Sequence, residues 1–199
     1  MNGVQAEIST GAIRGRWVTL EPVTASHSVE LADLEQRRQL LPGLGGPYHT
    51  PNLASRYLPA MAVRENQDGR MIGLLETGEL IGYPGVAVML VYVDPELARP
   101  GVAMEATGIY SPMIFDNGAA ILHIEVLSFN TASYRIFQKR HREPQARLRQ
   151  HVYVAGRFWD LLIFSFERAD WDELMAKLKR ALPGGQRQIA ALGGKRPAT

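Results

Sequence analysis

The run Val91–Ala106, VYVDPELARPGVAMEA, holds the residues best placed for chemistry in this 199-residue chain. An apolar strand meets Asp94-Pro95, then a short turn containing Gly101, then a helix-forming Ala/Met/Glu stretch. At such a helix N-terminus the unsatisfied amides and the helix dipole both favour an anion, so a pyrophosphate can be held by main chain alone. Pro100 stands inside the turn and has no N–H to give. The stretch therefore reads as a phosphate cradle with one donor missing, or as an ordinary strand-to-helix corner. A second candidate is NTASYRIFQKR, where Asn130 opens a helix and Ser133 lies one turn in; both types also serve simply as caps. Between Arg135 and Arg149, six cations (Arg135, Lys139, Arg140, Arg142, Arg147, Arg149) face the single acid Glu143. Such a patch suits the phosphates of a nucleotide cofactor or a nucleic acid, or forms a solvated basic face.

Other chemistries are excluded or unsupported. The chain has no cysteine, which rules out disulfides, thiolate catalysis and cysteine-ligated zinc. Its five histidines (His27, His49, His123, His141, His151) lack metal-ligand spacing, and no metal is expected. There is no G-x-S-x-G elbow for a serine hydrolase. No apolar run reaches the ~18 residues that cross a bilayer, and the N-terminus lacks a signal-peptide pattern. The expectation is a cytoplasmic protein with no membrane partner. With a net charge of +2 and 46% hydrophobic residues, the composition suits one globular domain with a real core.

The elements that must position these residues follow from periodicity. Residues 1–10 read as a flexible arm. GAIRGRWVTLEPV alternates as a first strand, and TASHSVELADLEQRRQLL follows as a helix with Leu31, Leu34 and Leu41 near one face and Thr24 or Ser26 as N-cap. PGLGGP, 42–47, breaks that helix as a surface loop, and 48–60 has room for a short helix. AMAVREN and RMIGLLETGELIG form two strands joined through QDG. Gly85–Val93 is a near-continuous apolar run, as in a strand buried on both faces. A helix over Val102–Asn117 carries Gly108 and Pro112, which weaken and kink it. AILHIEVLSF is a strand, NTASYRIFQKR a helix, ARLRQHVYVAGRFWDLLIFSF a hairpin around Ala155-Gly156, and DWDELMAKLKRAL a last helix with Asp170 and Glu173 as a capping box. The tail from residue 183 lacks a packing pattern and reads as disordered. This order describes one mixed-sheet α/β domain over 11–182.

That order, with VYVDPELARPGVAMEA, NTASYRIFQKR and HVYVAGRFWD at matching separations, resembles the GNAT acyltransferase superfamily, most closely its ribosomal-protein alanine N-acetyltransferase branch. The resemblance runs over Gly11–Leu178 and is most specific over Val91–Trp171. It implies an N-acyltransferase that moves an acetyl or other acyl group from acyl-CoA, typically acetyl-CoA, to a primary amine by direct transfer. The family's phosphate loop, Arg/Gln-x-x-Gly-x-Gly/Ala, falls on Ala98–Ala103. Gly101, Val102 and Ala103 are then cofactor-binding, Arg99 is one position from the family's basic residue, and Ala98 and Pro100 depart from the pattern. Losing one charge-assisted donor weakens binding by about 1.5–3 kcal/mol. The resemblance further implies that Asn130 contacts the pantetheine arm and Ser133 protonates the departing thiolate. Main-chain N–H groups at Tyr92 and Val93 would receive the thioester oxygen, and Lys139, Arg140 and Arg142 the 3′-phosphate.

Where related enzymes place a tyrosine proton donor this chain has Phe137, which lies along the cofactor but cannot donate. The branch's base position, two residues before the hairpin turn, is Val152, with His151 expected on the opposite face of the strand. Glu76 and Glu79 are the remaining bases by analogy, and Arg142 replaces an aromatic, so it must turn outward. The acceptor side would comprise residues 26–47 and 153–159. Two further readings stay open: a GNAT-like binding or regulatory module, and an aminoacyl-tRNA-dependent transferase using the 135–149 patch. The acceptor, small molecule or peptide, and a homodimeric state are left undetermined.

Overall fold

Val18 and Leu20 are fully buried while Thr19 and Glu21 are half-buried, the period-2 pattern of a strand with one face on a core. The computed structural model describes residues 11–40, 57–80, 82–140, 142–154 and 156–181. In it the expected first strand is two short ones, β1 (Ile13–Arg14) and β2 (Val18–Pro22), paired antiparallel. The turn between them is held by Glu105, whose carboxylate accepts the N–H groups of Arg16 and Trp17. A Cβ on Gly15 would come within 2.7 Å of that carboxylate, so glycine is needed there.

A 3-10 turn at Ala25–His27 leads into α1 (Ser28–Leu40). Thr24 donates its N–H to His27 Nδ1 at 2.9 Å, which closes the helix entry much as a carboxamide cap would. β3 (Met61–Glu65) and β4 (Met71–Glu79) form the expected antiparallel pair. β5 (Val86–Val93), α2 (Val102–Asp116) and β6 (Ile121–Leu127) make a strand–helix–strand crossover. α3 (Thr131–Gln138), the β7 (Ala146–Val154) and β8 (Arg157–Glu167) hairpin, and α4 (Arg168–Ala181) complete the order. The arm, the 42–47 loop, the 48–56 segment and the tail lie outside the described residues.

The strands form one eight-stranded sheet in the order β1-β2-β3-β4-β5-β6-β8-β7. Every neighbouring pair is antiparallel except β5–β6, which is parallel because a helix connects them. α2 runs unbroken past Pro112, with Val102, Ala106, Tyr110 and Ile114 fully buried at four-residue spacing. That stripe offsets the hydrogen bond that Pro112 removes, and the helix runs through it as one element, as expected. Gly118, at φ 96, then terminates it. α4 begins at Arg168, two residues before the expected start, so Asp170 lies in its first turn instead of capping it.

The sheet has two unlike faces. On one, α2 and α4 cover Met89, Leu122, Val126, Phe164 and Phe166. On the other, α1 covers β3 to β5 through Leu34, Ala62, Leu74 and Tyr92. The helix packed on this second face, among the described residues, is α1 against β3 to β5. No helix among them is long and apolar enough to cross a membrane.

Candidate active site

The one parallel pairing is also the one that stops short. β5 and β6 are in register from Val86↔Ile121 to Met89↔Ile124. Beyond that point β5 continues to Val93 beside β4, and β6 to Leu127 beside β8, without pairing to each other. The Asp94 N–H donates to the Ile72 carbonyl at 2.8 Å, which places the even-numbered main-chain groups of β5 toward β4. By strand alternation the amides of Val91 and Val93 face the gap. Tyr92, expected beside Val93 as an oxyanion donor, turns its amide to β4, and its ring is buried under α1. Val91 is 39% exposed in the middle of an eight-stranded sheet, so the gap is open at its side chain as well.

Both helices that follow the parallel strands start at the open end, the usual binding position in α/β sheets. At the first, Asp94 shapes the corner: its Oδ1 accepts the Glu96 N–H at 2.8 Å, and its carbonyl accepts those of Leu97 and Ala98. Three loop amides are thus spent internally, Pro100 has none, and the Val102 N–H leans on the Arg99 carbonyl at 3.3 Å. Among the described residues the amides of Arg99, Gly101, Ala103 and Met104 have no acceptor. Gly101 caps α2 at φ 94, a conformation costly for any side chain. This is a phosphate cradle with four donors left. The Val102 side chain is core. Arg99 is diverted: its guanidinium donates to Glu65 at 3.3 Å and to Gln67 at 3.0 Å, on the β3–β4 turn.

At the second helix, Asn130 is the N-cap of α3, its Oδ1 accepting the Ser133 N–H at 3.2 Å. Asn130 Nδ2 and Ser133 Oγ have no partner among the described residues. Phe137, expected along the cofactor, is instead 6% exposed and stacks on Phe164 at 4.3 Å; it belongs to the core. Lys139 and Arg140 sit at the far end of α3, about 14 Å from Asn130 by helical rise. Lys139 is exposed, and Arg140 Nε is buried with no hydrogen-bond partner. Arg142 turns outward as expected but onto α4, pairing with Asp170 at 3.1 Å and Glu173 at 3.7 Å. Arg147 is likewise taken, by Asp160 at 2.5 Å. Two of the six cations of the basic patch are therefore bound internally.

Two of the candidate carboxyl groups, Glu76 and Glu125, lie on the second face, and Glu79 lies on the first. Glu76 is on β4, opposite Leu90 and only 3% exposed. Glu79 ends β4 and is exposed. Glu125, which the sequence did not single out, is the first residue of β6 beyond the last parallel pair. Leu122 and Val126 on β6 are in the α2-side core, with Ile124 packed against it, so Glu125 points to the opposite face. Burial raises its pKa above the ordinary carboxylate value, and the nearby His151 pulls it partly back. Burial alone lowers the pKa of His123, two residues away on the same face. Val152 is buried, and His151 is exposed beside it. Among the described residues no cluster of side chains suits a metal ion.

No protein-family model matches the chain, and no curated protein matches it. Solved structures do. A GCN5-related N-acetyltransferase from Brucella melitensis is 25% identical, with a TM-score of 0.64 over 89% of this chain and 88% of that one. A ribosomal-protein-S5-alanine acetyltransferase from Vibrio fischeri is 14% identical, with a TM-score of 0.65 over 81% and 98%. An acetyltransferase structure from Salmonella typhimurium, solved with its cofactor acetyl-CoA, is 16% identical, with a TM-score of 0.60 over 75% and 93%. The chain has the α/β fold of the GNAT acetyltransferases.

Proposed function

We propose that this chain is an acyl-CoA-dependent N-acyltransferase that moves an acetyl group to a primary amine by direct transfer. The observation that carries it is the gap between β5 and β6, open at Val91 and flanked by the N-termini of α2 and α3. The residues present fit a CoA thioester: the free amides of Arg99, Gly101, Ala103 and Met104 for the diphosphate, and Asn130 Nδ2 for the pantetheine amides. Lys139 and Arg140 lie where the adenosine end would follow along α3. The acyl donor supplies an activated carbonyl carbon. The amides of Val91 and Val93 stabilise negative charge growing on its oxygen. Ser133 Oγ–H supplies the proton that the leaving sulfur needs. A carboxylate on the second face takes a proton from the attacking amine; Glu76 and Glu125 both stand there.

The Asn130–Ser133 spacing favours the ribosomal-protein alanine branch among the GNAT enzymes. Use of acyl-CoA favours a cytoplasmic setting. A second reading, a binding module that has kept the fold and lost the chemistry, draws on Pro100 and on the capture of Arg99 by Glu65. The tRNA-dependent reading loses ground because Arg142 and Arg147 are already paired. Thiol release from acetyl-CoA across a panel of primary amines separates these readings. Release with one amine class supports transfer; acetyl-CoA binding with no release from any amine leaves the binding module.

A further inference from the structure

Resting on the acyltransferase reading, we infer that Glu65 is a positioning residue for the donor: with Gln67 it holds Arg99 and so aims the free amides of the cradle. The loop has no cation to offer a diphosphate, because residue 98 is alanine and the Arg99 guanidinium is engaged on the β3–β4 turn. Its grip therefore depends on the direction of main-chain N–H groups, set before the anion arrives. Inside the loop little sets that direction. Arg99 to Val102 form a turn whose closing bond, from the Val102 N–H to the Arg99 carbonyl, is long at 3.3 Å. Pro100 is its second residue and Gly101, at φ 94 and ψ -14, its third, the arrangement of a type II turn. Such a turn relates Gly101 to Arg99, but it does not fix the tilt of the turn against the sheet. That takes a hold from outside the loop.

The Arg99 side chain supplies it. Its Nε and Nη2 both donate to Glu65 Oε1 at 3.3 Å, and Nη2 donates to Gln67 Oε1 at 3.0 Å. Glu65 is only 8% exposed, whereas Arg99 lies at the surface. A swing of Arg99 onto a phosphate would leave a buried carboxylate without its cation, which is strongly unfavourable. The arginine therefore stays on Glu65 and acts through its own main chain. The turn it grips is firm. Glu65 bonds through its main chain to Arg70 and Gly69, and Arg64 Nη1 donates to the Gly69 carbonyl at 2.9 Å. Asn66 then ties this turn to the β1–β2 connection: its N–H donates to the Trp17 carbonyl at 2.8 Å and its Nδ2 to the Gly15 carbonyl at 3.0 Å. That connection is held in turn by Glu105, in the first turn of α2. The contacts close a ring, from Arg99 to the β3–β4 turn, across Asn66 to the β1–β2 connection, and back through Glu105. The free amides of Arg99, Gly101, Ala103 and Met104 lie between its two points of attachment on the loop and helix.

The test is calorimetry with acetyl-CoA, where the sign of the change decides. Glu65→Gln keeps the shape of the side chain and removes the charge that holds Arg99, so binding is expected to weaken by about tenfold. Arg99→Gln weakens it by the same factor, and the double variant by no more than either alone, because both act through one contact. Gln67→Ala removes an exposed tie, leaves Glu65 paired with Arg99, and weakens binding by about threefold at an unchanged unfolding temperature. It carries the test if either buried-pair variant fails to fold. An arginine that ligates phosphate and is merely restrained by Glu65 would bind acetyl-CoA tighter in Glu65→Gln. Tighter or equal binding in Glu65→Gln, or in Gln67→Ala where that variant carries the test, overturns the inference. A thiol-release arm separates positioning from general loosening: in Glu65→Gln the KM for acetyl-CoA rises, while that for S-acetylpantetheine, which has no diphosphate, stays at the wild-type value. An equal rise for both also overturns it, and if no amine supports release the calorimetry decides. The levels stay apart: no acetyl-CoA binding to the wild type defeats the acyltransferase reading and this inference with it, whereas wild-type binding that Glu65→Gln does not weaken defeats this inference alone.

Discussion

Single positions in the cofactor loop decide how much grip remains. Gly101 caps α2 at φ 94, where a β-branched side chain is strained. Gly101→Val is expected to cost about 1–3 kcal/mol of stability and to weaken acetyl-CoA binding by about tenfold or more, read by thermal unfolding and calorimetry. Pro100 has the opposite sign. Pro100→Ala returns an N–H to the loop and is expected to tighten acetyl-CoA by up to about tenfold, since one added hydrogen bond is worth about 0.5–1.5 kcal/mol. A Pro100→Ala affinity equal to wild type would place the diphosphate away from that amide. Ser133 has a free hydroxyl one turn into α3, so Ser133→Ala should lower kcat by about 10²-fold with acetyl-CoA affinity unchanged. A fall in affinity with kcat intact would reduce Ser133 to a contact.

Elements hold these positions through ties that are long in sequence, and there the reading from sequence reached its limit. Arg64 on β3 joins three elements: it donates to Glu30 on α1 at 2.6 Å and to Glu21 on β2. Burial pushes the Glu21 carboxyl up, but hydrogen bonds from Arg64 and His27 outweigh it and leave the pKa low; the Arg64 bond lowers Glu30 as well. Both carboxyls are lower in the fold than the usual 4.5, so their stabilisation is present above that pH and fades as pH falls below it. Arg64→Met should cost about 2 kcal/mol at neutral pH and less at pH 4, by denaturant titration. An equal cost at both would contradict the ion-pair account. The strands and helices were legible because their periods are local: the Val18/Leu20 alternation, the apolar run of β5, the four-residue stripe of α2. The site was legible only where its signal is also local, at Gly101 and at Asn130 with Ser133. Where β5 and β6 part depends on non-local pairing. Glu125 in ILHIEVL looks like ordinary in–out alternation. The capture of Arg99 by Glu65 joins residues 34 apart, and the Gln150 bulge needs a left-handed glutamine that no local pattern announces.

At the scale of the molecule the sheet separates two chemistries. The α2–α3 face presents free amides, Lys139 and Arg140, suited to an anionic donor. The other face presents Glu76 and Glu125, suited to an amine. Among the described residues the unpaired ends of β5 and β6 open a passage between them. Val91 is the most direct probe of that passage, because it is an exposed side chain in mid-sheet beside the unpaired strand ends. The measurement is calorimetric titration of acetyl-CoA into the wild type and into Val91→Trp, with unfolding temperatures taken in parallel. One acetyl-CoA per wild-type chain, and loss of that binding in a Val91→Trp protein that still unfolds at the wild-type temperature, is the predicted result. No binding to the wild type at millimolar acetyl-CoA, or equal binding to both, would contradict it.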